Sequence, residues 1–104
     1  KNIYRKRGRI MLKILTVCGN GIGSSLMLAM KIEELCKEEG INDIAVESAD
    51  FNSALSKDVD IIVTVKEIAS QFPENKNVII TRSYTNKKKI KEDVLENIRQ
   101  YYNK

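Results

Sequence analysis

The sequence predicts an α/β fold, a three-layer sandwich in which a four-stranded parallel sheet lies between helices. Two observations predict it. Short, β-branched apolar runs alternate with segments of helical period in the order β-α-β-α-β-α-β-α. The first run also passes straight into a glycine-rich turn that opens a helix, as the leading unit of an open parallel sheet does.

Leu12–Val17 reads Leu-Lys-Ile-Leu-Thr-Val, an apolar run suited to a strand buried on both faces. A helix follows from about Gly23 to Glu39. Its apolar stripe is Leu28, Ala29, Ile32, Leu35 and Cys36, spaced three and four apart, with Lys31, Glu34, Lys37 and Glu38 on the other side. Gly40 ends it as a C-terminal cap. Ile44–Ala49 is the second strand, and Asp50 caps a short helix through Ala54 and Leu55. Val59–Val65 is the strongest strand, β-branched almost throughout. A helical turn near Ile68–Phe72 is closed by Pro73, and Asn77–Thr81 supplies the fourth strand. From Asn86 to Tyr102 the residues Ile90, Val94, Leu95, Ile98, Tyr101 and Tyr102 form one helical stripe. Lys87, Lys88, Lys89 and Lys91 make its solvated face.

Length and composition limit the function classes. A chain of 104 residues holds one domain, with a core large enough to fold without disulfides or a metal. No apolar run approaches the roughly 18 residues of a membrane span. The basic start is not followed by the apolar stretch of a signal peptide, so a cytoplasmic protein without membrane insertion is expected. The net charge of +4 is unevenly placed. Residues 1–10 contain Lys1, Arg5, Lys6, Arg7 and Arg9 and no acid, while the remainder carries 13 basic and 14 acidic residues. The basicity belongs to a tail, and nucleic acid is not an expected partner. Met11 directly precedes the first strand, so residues 1–10 read as a basic, disordered extension and residues 11–104 as the domain.

The chain contains no histidine, which excludes a phosphohistidine carrier, a Cys-His or Ser-His pair and most zinc sites. Of the two cysteines, Cys36 lies on the first helix's apolar stripe and reads as core. Cys18 stands where the first strand gives way to glycines. The run Cys18-Gly19-Asn20-Gly21-Ile22-Gly23-Ser24-Ser25 suits phosphate. Its glycines turn the backbone sharply and leave no Cβ in the way of an anion. Its N–H groups converge as a nest, the next helix adds unpaired donors and the positive end of its dipole, and Ser24 and Ser25 add hydroxyls. Asn20 shapes the loop. The same donors favour a thiolate, the nucleophilic form of cysteine. A dinucleotide site is disfavoured by the glycine spacing, and a Walker site by the missing Lys-Ser/Thr pair. No metal or organic cofactor is implied.

At these residues, Ile14-Leu15-Thr16-Val17-Cys18-Gly19-Asn20-Gly21-Ile22-Gly23-Ser24-Ser25, the chain resembles the enzyme IIB components of the bacterial phosphoenolpyruvate-dependent sugar phosphotransferase system (PTS). The ascorbate type is nearest and the galactitol type a near relative, whereas the cellobiose branch lacks the Gly-Asn-Gly run. The resemblance runs from about Met11 to the C-terminus. It implies a flavodoxin-like sheet of order 2-1-3-4, shared with low-molecular-weight phosphatases. It also implies that Cys18 takes a phosphoryl group from the phosphohistidine of enzyme IIA. Cys18 then passes it to a sugar imported by the membrane component IIC, with the phosphate cradled by Gly19 to Ser25. Docking surfaces should surround the loop, with Ile22, Leu26 and Met27 as candidates. The sugar pocket lies in another protein of such a system. The competing reading, a low-molecular-weight tyrosine phosphatase, needs an arginine where Ser24 stands and an Asp-Pro acid that occurs nowhere in the chain. A thiol redox role lacks a Cys-x-x-Cys pair.

Overall fold

The first strand is buried along most of its length because the sheet carries helices on both faces. The computed structural model describes residues 11–19 and 23–102; the basic extension expected at residues 1–10 and the loop residues Asn20, Gly21 and Ile22 lie outside them. The elements are β1 (Leu12–Cys18), α1 (Gly23–Glu38), β2 (Ile44–Asp50), α2 (Phe51–Leu55), β3 (Ile61–Thr64), α3 (Lys66–Ala69), β4 (Val78–Ile80), and a C-terminal helix. The four strands are parallel and ordered β2-β1-β3-β4.

Strand alternation divides the core in two. Ile14, Ile61, Val63 and Ile79 pack with Leu28, Ile32, Leu35 and Cys36 of α1 and with Ile90, Val94, Leu95 and Ile98 of the C-terminal helix. On the other face Leu15, Val17 and Ile62 pack with Ala54, Ile68 and Phe72, and Phe51 meets Phe72 edge-on with ring centroids 5.0 Å apart. The three layers follow from the unbroken apolar character of β1 and β3, which only a doubly covered sheet can bury.

The boundaries differ from expectation in informative ways. β1 and β2 each run one residue further, to Cys18 and Asp50, because their register ends on that pair. β3 is shorter than Val59–Val65. Asp60 at its start replaces a ladder bond with its carboxylate, which accepts from the Lys13 N–H at 2.8 Å. Val65 at its end becomes the N-cap of α3, so the helical turn begins directly after the strand rather than at Ile68. The C-terminal helix has three stretches: α4 (Lys87–Ile90), a π-helical turn (Lys91–Leu95) and α5 (Glu96–Tyr102). Hydrophobic period alone does not reveal a π insertion, because the buried positions stay on one stripe.

Local chemistry explains the ends. The side chain of Asn86 caps α4 by accepting from the Lys89 N–H at 3.1 Å. Gly40 has φ +77°. Its N–H donates to the Lys37 carbonyl and that of Ile41 to the Cys36 carbonyl, the paired bonds of a Schellman cap. Lys87 bridges Glu34 and Glu38 of α1 and Lys91 bridges Glu39 just beyond its end, so these two lysines pair with acids as part of a solvated face. No helix among the described residues is long and apolar enough to cross a membrane.

Cys36 is fully buried in the α1-side core. Burial pushes its thiol up to about 11 from 9.0, with the Arg99 charge opposing and Glu33 adding. A Cys36→Ala protein should fold and lose about 1 kcal/mol of stability, measured by urea unfolding. A thiol that ionises less readily in the folded state stabilises fully below its unfolded value. The wild-type advantage should therefore be constant below about pH 9 and shrink as pH rises towards 11.

Candidate functional site

The order β2-β1-β3-β4 reverses direction between β1 and β3, and ligands of open parallel sheets bind at the carboxyl ends of strands at such a point. Cys18 is the last residue of β1 and is only 3% exposed. It shares parity with Ile14 and Thr16, so its side chain projects towards α1. Two contacts join this strand end to the first turn of α1. The Thr16 hydroxyl donates to the Ser25 carbonyl at 2.6 Å and also lies 3.2 Å from the Glu47 carbonyl. The Cys18 thiol donates to the Ser25 Oγ at 3.4 Å, and once the thiol is ionised the same hydroxyl can turn to donate to the sulfur. The start of a 16-residue helix, with its positive dipole end, therefore sits beside the sulfur.

Among the described loop residues, Ser25 is buried whereas Gly19, Gly23 and Ser24 are exposed. Only Ser25 of the two serines meets the sulfur. Among the described residues Gly40 is the one glycine with positive φ, so Gly19 and Gly23 do not occupy the left-handed region. At Gly23 an added Cβ would meet nothing within 4 Å, and at Gly19 it would touch only the Ile68 Cδ1 at 3.6 Å. Open space lies at the helix start, at Gly23, whereas a side chain at Gly19 would make an ordinary contact with Ile68. Asn20, Gly21 and Ile22 lie outside the described residues.

Residues from the far end of the chain complete the strand end. The Thr64 hydroxyl at the end of β3 donates to the Val17 carbonyl at 2.8 Å. The Tyr84 hydroxyl donates to the same oxygen at 2.9 Å across a separation of 67 residues. Sequence reasoning missed Thr16, Thr64 and Tyr84. A threonine ending an otherwise Ile/Val strand is a faint signal for Thr64; nothing local points to Tyr84. Asp50 stands beside Cys18 in the β1–β2 register. The Ser53 hydroxyl and the amides of the first turn of α2 hold its carboxyl below the usual range, although burial opposes them.

No cluster of metal-ligating side chains occurs among the described residues. A cleft of about 380 Å³ lined by Met30, Glu33, Glu34, Lys37, Ile41, Asn42 and Ile44 lies at the opposite end of the sheet, where β2 begins. Its charged side chains are Glu33, Glu34 and Lys37, beside apolar Met30, Ile41 and Ile44, and it is far from Cys18. Leu26 and Met27, next to the site on α1, are 49% and 45% exposed.

Residues 13–96 match the family described as PTS system, lactose/cellobiose specific IIB subunit. The ascorbate-specific PTS system EIIB component of Escherichia coli O157:H7 is 30% identical over 95 residues, covering 88% of this chain and 93% of that one. The protein of the same name from Salmonella typhimurium has the same identity and coverage. The ascorbate-specific PTS system EIIB component of Mycoplasma pneumoniae is 31% identical over 65 residues, 62% of this chain and 68% of that one. The chain belongs to the PTS IIB family.

The geometry separates the two serines. With iodoacetamide near pH 7 in a Cys36→Ala background, Ser25→Ala should slow alkylation of Cys18 about three- to tenfold, the worth of one hydrogen bond to the reacting sulfur. Ser24→Ala should leave it within about twofold. Equal rates in both variants would mean that Ser25 does not support the thiolate.

Proposed function

We propose that this chain, as a PTS IIB component, carries a phosphoryl group on Cys18. It receives the group from a phosphohistidine of enzyme IIA and delivers it to an ascorbate-type sugar held by the membrane component IIC. The single observation that supports this most is the placement of Cys18. It ends the buried central strand at the topological switch point, with the Ser25 hydroxyl 3.4 Å from its sulfur and the start of α1 beside it. The ascorbate-type sugar rests on the names of relatives that align over most of the chain.

In the first transfer the Cys18 thiolate attacks phosphorus. An S–P bond forms, the P–N bond breaks, and its electron pair stays on the imidazole of IIA. In the second, a sugar hydroxyl attacks, an O–P bond forms and the S–P electron pair returns to sulfur. The hydroxyl proton leaves to a base outside this chain, which has no histidine of its own. Backbone N–H groups from Gly19 through Asn20, Gly21, Ile22, Gly23 and Ser24 to Ser25 cradle the phosphoryl oxygens, helped by the two serine hydroxyls. Leu26 and Met27 supply apolar docking surface beside the loop for IIA and IIC in turn. The phosphocarrier domain is residues 11–104, working in the cytoplasm and meeting the inner face of the membrane through IIC.

A phosphatase would use the same architecture but hydrolyse the intermediate. Ser24 occupies the position of the arginine fork that stabilises the transition state, and no Asp-Pro supplies the acid. Losing one transition-state donor costs about 10²–10³ in rate, and losing a general acid a comparable factor.

Incubation with phosphoenolpyruvate, the general phosphotransferase proteins and the cognate IIA should add one phosphoryl mass, absent in Cys18→Ser. Aryl phosphate hydrolysis should stay near background, and Ser24→Arg alone should not raise it to enzyme rates. Label persisting in Cys18→Ser would reject the acceptor. Steady aryl phosphate turnover abolished by that substitution would reject the carrier in favour of a hydrolase.

A further inference from the structure

We propose that Tyr84 is a positioning residue for Cys18: its hydroxyl, with that of Thr64, fixes the Val17 carbonyl and thereby the peptide plane from which the reactive side chain projects. The inference rests on the reading of Cys18 as phosphoryl acceptor and extends it to residues at the far end of the chain.

The β1–β3 register ends at Thr16↔Val63. One residue further, the Val17 carbonyl has two side-chain donors, Thr64 at 2.8 Å and Tyr84 at 2.9 Å. A peptide unit is planar, so holding that oxygen also holds the N–H and Cα of Cys18. From that fixed Cα the side chain leaves the sheet on the α1 face, where its sulfur meets Ser25. Two hydroxyls on one carbonyl exceed what burial alone requires, since one partner satisfies it.

Tyr84 is itself held. Arg82 donates from its backbone N–H to the Asp93 carboxylate at 2.8 Å and from Nε to both oxygens, and reaches Glu92 at 2.7 Å. Asp93 and Glu92 belong to the π-helical turn, an insertion often found at functional sites. The Ser83 hydroxyl accepts from the N–H groups of Thr85 and Asn86, and Asn86 caps α4. The loop from Arg82 to Asn86 is thus fastened on both sides of Tyr84, whose ring packs on the α1-side core. Burial raises the Tyr84 phenol above its ordinary value. The Thr64 hydroxyl opposes this, and negative charge on Cys18 and Glu67 adds to it. The phenol therefore remains a donor while a dianion sits on the neighbouring sulfur.

Tyr84→Phe keeps the ring and removes only the hydroxyl. In the full chain with phosphorylated IIA, it should lower the rate constant for transfer to Cys18 about five- to tenfold at saturation, with KM for IIA unchanged. Iodoacetamide alkylation of Cys18 should change by a similar factor. Thr64→Val should do the same, and Thr64→Ser, which restores a hydroxyl, should recover the wild-type rate. A purely structural tyrosine would lower only the melting temperature. Wild-type transfer and alkylation in Tyr84→Phe, or a change confined to KM, overturns the proposal and leaves the acceptor reading intact. If Tyr84→Phe does not fold, the Thr64→Val and Thr64→Ser pair decides, equal rates in the two being the contrary result. If wild-type protein accepts no phosphoryl group, the acceptor reading fails, and the alkylation rates alone judge the positioning.

Discussion

A strand buried on both faces cannot leave its polar groups to water, and the end of β1 is where that constraint is met. Each polar group there is answered by another part of the chain. Thr16 bonds the first turn of α1, the Val17 carbonyl takes hydroxyls from β3 and from the loop after β4, and Cys18 lies against Ser25. Buried polar groups that lack partners are costly, on the order of 1–3 kcal/mol each. The same bonds that make burial tolerable therefore draw three separate segments onto the residues flanking one sulfur. The chemistry of the site is a by-product of satisfying the strand.

The layered architecture was legible in the sequence because it depends on period and order, which are local. The β-branched runs, the helical stripe ending at Gly40 and the glycine-rich turn after β1 each carried their own signal. The start of the last helix at about Asn86 was also readable, although its capping role comes from the structure. What was not legible depends on distant contacts. Nothing around Tyr84 reveals that its hydroxyl reaches Val17, and nothing around Arg82 reveals that it clasps Asp93. The π-helical turn is invisible for a different reason: Ile90, Val94, Leu95 and Ile98 are buried with or without it. The glycines were read both for backbone freedom and for the missing Cβ, and at Gly19 and Gly23 neither a positive φ nor a clash with an added Cβ requires glycine.

Carrier and hydrolase make opposite demands on such a site. A hydrolase needs a fixed fork of charge on the phosphoryl oxygens and an acid for the leaving group, so that water attacks quickly. A carrier needs the intermediate to persist until the next protein arrives. Neutral donors at a helix start, a serine where an arginine would stand, and a sulfur sunk at a strand end all favour persistence. The acid of Asp50, next to Cys18 in the sheet, is ionised at neutral pH like any carboxyl at or below its ordinary value. It is therefore poorly suited to serve as a proton donor at neutral pH.

Under the proposed function, the backbone at the junction of β1 and α1 receives the phosphoryl group. Proton–nitrogen correlation spectra of the protein before and after phosphorylation by IIA, read together with a phosphorus spectrum, test it most directly. The account predicts a phosphorus signal of the thiophosphate type. It also predicts that the largest downfield amide shifts fall at Gly19 and at Gly23 to Ser25, as N–H groups there bond the new dianion. A phosphorus signal of another type would contradict it. So would amide shifts centred elsewhere, such as on the cleft between Met30 and Ile44 at the opposite end of the sheet.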